Sequence, residues 1–218
     1  MILKRVLIAT FLIVGIDSIS FAQAGLTAQA ILTEVSDRYK QLDGFKATFE
    51  YTYSTDTEGV IQTNTGEVAV KGDRYRLVLD DQEIFNDGST VWTYIKSSRY
   101  EEVTINSVDP ESDELTPSNI YNIYQRGYNS KLNGEKKMDG KTVYEIILTT
   151  DKKSAQFKEI KLFVEKTQKD LVAWEIQDDV GGIFQYKFKE VKKNEPILDN
   201  YFVFNTSEHK NIEIIDLR

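Results

Sequence analysis

Two strand-forming runs joined by a tight turn at Asn86-Asp87-Gly88 limit what this chain can become more than any other stretch. Asp-Gly supplies the positive backbone φ that a short hairpin needs. After the turn, Val91, Thr93 and Ile95 alternate with Trp92 and Tyr94, so branched side chains stand on one strand face and aromatic ones on the other. A sheet with one wet face would carry polar residues at every second position. Their absence predicts that both faces of this hairpin meet apolar material.

The period of two recurs along the chain. Phe45, Ala47, Phe49, Tyr51 and Tyr53 alternate with Lys46, Thr48, Glu50, Thr52 and Ser54, and Phe184, Tyr186 and Phe188 repeat the pattern against Gln185, Lys187 and Lys189. Between them lie short strand-like runs separated by turns such as Gly72-Asp73 and Asp139-Gly140, which is the spacing of a sandwich or barrel. Ten or more strands are expected. Two segments depart from this rhythm: residues 27–42 place Ala28, Ile31, Leu32, Val35, Tyr39 and Leu42 on one helical face, and residues 118–126 suggest a short second helix. A helix that short must dock its apolar side onto the sheet. Residues 106–117, rich in acids and prolines, read as an exposed loop.

Residues 1–22 have the layout of a secretory signal peptide, with Lys4 and Arg5 before an apolar run and small residues at Ala22 and Ala24, so cleavage after either alanine fits. Residues 23–218 are then one domain of about 195 residues, long enough to hold itself together by its core. The chain has no cysteine, which excludes disulfides, thiolate nucleophiles and a lipidated cysteine of its own. Formal charge is −8, and losing Lys4, Arg5 and Asp17 leaves about −9. An acidic body of this kind argues against nucleic acid and against standing attachment to an anionic membrane.

Catalytic material is scarce. His209 is the single histidine and sits in a polar stretch that reads as an exposed loop, and neither G-x-S-x-G nor a Gly-rich phosphate loop is present. The acidic pairs Asp80-Asp81, Glu101-Glu102 and Asp178-Asp179 read as turn and edge charges, because neighbours on a strand point to opposite faces. Residues 109–114 lack the glycine and glutamate of a calcium loop. No metal or cofactor is expected. What the chain does hold is aromatic surface, 12 Tyr, 11 Phe and 2 Trp, much of it in period-two strands beside short apolar helices. That combination describes a cup with a lid, able to hold an apolar ligand.

Gly66-x-x-x-Val70-Lys71, Tyr75-Arg76, the Asp87-Gly88-x-Thr90-x-Trp92-x-Tyr94 segment, Glu102-Val103, Tyr186-x-Phe188 and Phe202-x-Phe204 occur here in one order, after an amphipathic helix leading into Phe45-x-x-x-Phe49. In these features the chain resembles the LolA family of periplasmic outer-membrane lipoprotein carriers. The resemblance implies a mainly β fold: an incomplete, strongly curved antiparallel half-barrel covered by short α-helices that act as a lid. It implies no enzyme but a soluble periplasmic monomer that takes acylated lipoproteins from an inner-membrane ABC transporter and passes them to an outer-membrane acceptor. A chain of about 15 carbons exposes roughly 12 kcal/mol of unfavourable surface in water, at about 0.8 kcal/mol per methylene. Carriage without a shield is therefore negligible.

The expected cavity lining is Phe45, Phe49, Tyr51, Leu77, Leu79, Trp92, Tyr94, Trp174, Ile176, Phe184 and Tyr186, with Ile120, Ile123 and Tyr124 in the lid. Some members of the family close the lid with an arginine after the Val-Lys pair; here that position is Gly72, and Arg74 and Arg76 are the substitutes within reach. A sensor of lipid or stray lipoprotein on the same half-barrel is the alternative function. An envelope hydrolase would need two inward-facing carboxylates, for which Glu145 and Glu175 are the test positions.

Overall fold

A computed structural model describes residues 26–97, 100–178 and 180–218; the segment read as a signal peptide lies outside these. Its first element is α1 (Ala28–Lys40), capped by Thr27, whose hydroxyl accepts from the Ala30 amide at 3.1 Å. Ala28, Ile31, Leu32, Val35 and Tyr39 are buried on one face, each large one worth ~1.5–3 kcal/mol in water-excluded surface.

Among the described residues, twelve strands form one sheet. β1 (Phe45–Thr55), β2 (Gly59–Lys71), β3 (Arg74–Val78), β4 (Gln82–Asn86), β5 (Thr90–Lys96) and β6 (Glu101–Ser107) make an antiparallel meander. The chain then crosses through residues 108–128 to the far edge and returns as β7 (Asn129–Met138), β8 (Lys141–Thr149), β9 (Glu159–Glu165), β10 (Leu171–Gln177) and β11 (Ile183–Lys193), which pairs with β1. β12 (Glu213–Asp216) adds beside β6, parallel to it, so the antiparallel expectation fails at this one edge. The edges β12 and β7 do not meet, and the sheet is an open, incomplete barrel. Register shifts at Thr48/Phe49, Tyr53/Ser54 and Leu132/Glu135 are bulges, which add local twist and bend the strands that carry them.

Among the described residues, one α-helix covers the inner face, not two. Residues 118–126 form successive turns ending in a 3-10 turn over Ile123–Gln125. Asn119 explains the difference: its side-chain oxygen accepts from the Thr116 amide at 2.9 Å and its amide donates to the Glu114 carbonyl at 2.8 Å. Such local bonds compete with the helical ladder.

Both faces of the β4–β5 hairpin are dry, as its pattern predicted, but for different reasons. The inner face carries the main core under α1. The outer face holds Ala69, Phe85, Trp92, Tyr94, Val103 and Ile105, covered by Ile197, Phe202 and Phe204 of the segment running back to β12. Phe202 is fully buried there. His209 is also part of this cover: its ring stacks on Phe204 at 4.8 Å and lies 4.9 Å from Tyr94, with Nδ1 3.2 Å from Glu101. It is not the exposed loop residue expected from its polar neighbours.

Candidate functional site: an apolar cup on the inner face

The register of β1 aims Phe45, Phe49 and Tyr51 inward, and pairs Tyr51 with Tyr186 on β11. Trp174 on β10 is opposite Tyr186 in turn and stacks on it at 5.1 Å with 8° between the rings. Tyr51 and Tyr186 are 6.0 Å apart and 21° from parallel. Phe49 fits this floor because residue 66 is glycine: a Cβ there would sit 2.4 Å from the edge of the Phe49 ring. Burial, then the neighbouring Tyr51, push the Tyr186 phenol up from 10, so it stays uncharged at neutral pH.

These rings border a cavity of about 220 Å³. Of the expected lining, Phe45, Phe49, Tyr51, Leu77, Leu79, Trp174, Ile176 and Tyr186 surround it, and so does Ile120 from the expected lid. Phe184 shares the inner face but lies further out, against Tyr53 at 4.6 Å, beyond the cavity wall. Trp92 and Tyr94 do not belong: they point to the outer face, where Tyr94 packs on Phe204 at 5.1 Å. The inward residues of β5 are Val91, Thr93 and Ile95, of which Thr93 is in register with Ile84 and, through it, with Leu77. Ile123 and Tyr124 are buried in the core beneath α1, with the Tyr124 hydroxyl 3.5 Å from that of Thr33, and do not border the cavity.

Residues absent from the expected lining complete the wall. Val68 and Phe188 follow from alternation, since they share parity with Val70 and Tyr186. Leu115, Thr116 and Pro117 come from the segment read as an exposed loop, and Gln156 and Phe157 from the β8–β9 connection. Among the described residues, no carboxylate, histidine or amine lines the cavity. Glu145 and Glu175 lie on the outer face, bonded at 2.6 Å to Asn133 and Lys136 and to Gln185 respectively, so they cannot act as an inward pair.

Two loops close over the cup and are fastened to each other. Asp113 takes the Lys152 ammonium at 3.0 Å on both oxygens and the Ser154 hydroxyl at 2.8 Å, while Lys152 also reaches the Arg126 carbonyl at 3.3 Å. The Leu115 amide donates to Gln156 at 3.1 Å, and the Tyr128 hydroxyl to the Phe157 carbonyl at 2.8 Å. The Lys152 and Ser154 bonds hold Asp113 below the usual carboxylate range. Neither Arg74 nor Arg76 substitutes for the missing lid arginine, because both face outward, to Asp199 at 2.7 Å and Glu83 at 2.7 Å.

A curved open sheet around an apolar cup, with an uncharged lining under fastened loops, is the build of a protein that binds apolar ligands. Residues 40–205 match the family described as outer membrane lipoprotein carrier protein LolA. The chain belongs to the LolA family, whose fold is one of binding and carriage. Among solved structures, an uncharacterized conserved protein from Thermus thermophilus is 13% identical, over 87% of this chain and 98% of that one, with a TM-score of 0.57. A LolA superfamily protein from Nitrosomonas europaea is 15% identical, over 82% and 98%, with a TM-score of 0.43. A putative outer membrane lipoprotein-sorting protein domain from Vibrio parahaemolyticus is 11% identical, over 80% and 95%, with a TM-score of 0.44. No curated protein sequence matches the chain. At these identities the likeness is one of fold.

Proposed function

We propose that this protein is a periplasmic carrier that shields the acyl chains of lipoproteins in the inner-face cup and moves them from the inner to the outer membrane. It acts without chemistry or cofactor, as a monomer, receiving cargo from an ABC transporter and giving it to an outer-membrane acceptor. The observation that carries the reading is the uncharged aromatic and aliphatic lining in a chain of the LolA family. Among the described residues no helix is long and apolar enough to cross a membrane.

The size of the cup adds a mechanical step. Pockets that bury a drug-sized ligand measure ~300–1,000 Å³, and this one holds about 220 Å³. A long acyl chain enters only if Leu115, Pro117 and Phe157 move aside, which requires the bonds between the two loops to yield. Removing a chain from water supplies several kcal/mol, at about 0.8 kcal/mol per methylene. Loading and opening are thus coupled. Native mass spectrometry of the mature protein with a triacylated lipoprotein and with its unacylated form tests the reading. A one-to-one complex with the acylated form alone is expected; equal binding of both, or of neither, overturns it.

A further inference from the structure

Phe45 stands between two cavities. It lines the cup, and it also lines a second cavity of about 170 Å³ among the end of α1, the residues leading into β1 and the β2–β3 turn. Along the inner face the order is Tyr51, Phe49, Phe45 and then this second space. The Phe45 ring is edge-on to Tyr39 at 5.5 Å, and Tyr39 stacks on Tyr121 at 4.7 Å, 13° from parallel. Only 4% of Phe45 is exposed. Its backbone is paired on both sides, opposite Val70 on β2 and Lys193 on β11, and a Cβ on the preceding Gly44 would sit 2.9 Å from the Val70 carbonyl oxygen. The cup therefore widens at its covering loops, while its base is fixed by interlocked rings on paired strands.

The two cavities differ in what they offer a hydrocarbon. The cup has no charged group in its lining among the described residues, whereas Lys40, Asp73, Ser118 and Asn122 line the second cavity. The Asn122 Oδ1 is buried and accepts no hydrogen bond among the described residues. A methyl or methylene brings it no donor, and a buried acceptor left without a partner is costly. We infer that Phe45 is the stop of the acyl site: the terminal methyl comes to rest against its ring, and the distance from there to the mouth fixes the chain length the protein binds best. This role rests on the carrier reading and adds to it a residue that selects cargo by chain length.

The test holds the head constant and varies the chain. Saturated monoacylglycerols from decanoyl to stearoyl, each below its aggregation threshold, are titrated by calorimetry into the mature protein and its Phe45 variants. Wild-type affinity should rise about fourfold per methylene, the equivalent of ~0.8 kcal/mol, up to one chain length and level off beyond it. Phe45→Ala joins the two cavities and should move that break to a longer chain; Phe45→Leu, which keeps most of the buried volume and with it the fold, should move it less. Adding Ser118→Phe to Phe45→Ala fills the second cavity and should bring the break back, a recovery that general loosening of the core does not produce. A break at the same length in every variant, or wild-type affinity that keeps rising through stearoyl, overturns the stop and leaves the cup intact. Binding of no monoacylglycerol by any form of the protein overturns the carrier reading as well.

Discussion

Asp113 and Lys152 join the two loops over the cup through a contact of 3.0 Å at each carboxylate oxygen. Because both groups belong to connections rather than strands, breaking this pair loosens the cover and leaves the sheet intact. Lys152→Met should speed amide exchange across residues 108–128 and 150–158, raise the on-rate of an apolar dye severalfold, and leave β8 and β9 protected. Hydrogen bonds from Lys152 and Ser154 lower the Asp113 pKa below its ordinary 3.8. A carboxylate shifted down stabilises the folded form fully above its ordinary pKa and loses that effect as pH falls through the folded value. The fastening therefore holds from neutral pH down to about pH 4 and releases only in stronger acid, which exchange measured along a pH series checks.

Gly66 is small because Phe49 occupies its space. A methyl at this position would meet the ring at 2.4 Å and the Val78 carbonyl at 2.9 Å. Gly66→Ala should cost ~1–3 kcal/mol in urea unfolding, the usual penalty of overpacking. Combining it with Phe49→Leu should recover part of that loss by freeing the ring's volume. A neutral Gly66→Ala would mean that Phe49 has other room.

Much of the site was legible in β1 and β11, where uninterrupted alternation names the residues that share a face. Alternation does not say which face is inside. In β1 the other parity is Lys46, Thr48 and Glu50, so the choice was plain; in β5 both parities are apolar, and Trp92 and Tyr94 went to the wrong side. What places them outward is Phe204, more than 100 residues on, whose packing against Tyr94 no local pattern contains. Leu115 was hidden differently. One apolar residue beside Asp113 and Glu114 carries no periodic signal, and its position depends on a bond to Gln156 across the mouth.

The outer cover should depend far more on Phe202 than on the charges beside it. Lys71 and Arg74 meet Asp199 at 2.8 and 2.7 Å, but Asp199 is largely exposed and such pairs contribute little. Phe202 is fully buried against Ala69 and Ile197. Phe202→Ala should cost ~3–5 kcal/mol in equilibrium unfolding, whereas Asp199→Asn should leave the midpoint almost unmoved. The reverse ranking would show that ion pairs, not packing, hold this segment down.

The two tryptophans give an optical separation of the faces. Trp174 stacks on Tyr186 in the wall of the cup, while Trp92 lies on the outer side of β5 among Phe85 and Ile105. An acyl chain in the cavity changes the surroundings of the first indole and not of the second. With two Trp in the whole chain, each single Trp→Phe variant leaves one reporter. Trp92→Phe should keep the full emission change on titration with monopalmitoylglycerol, and Trp174→Phe should lose it. Retention of the signal in Trp174→Phe would put the ligand on the outer face, beneath the segment that carries Phe204, and the assignment of the cup would fall with it.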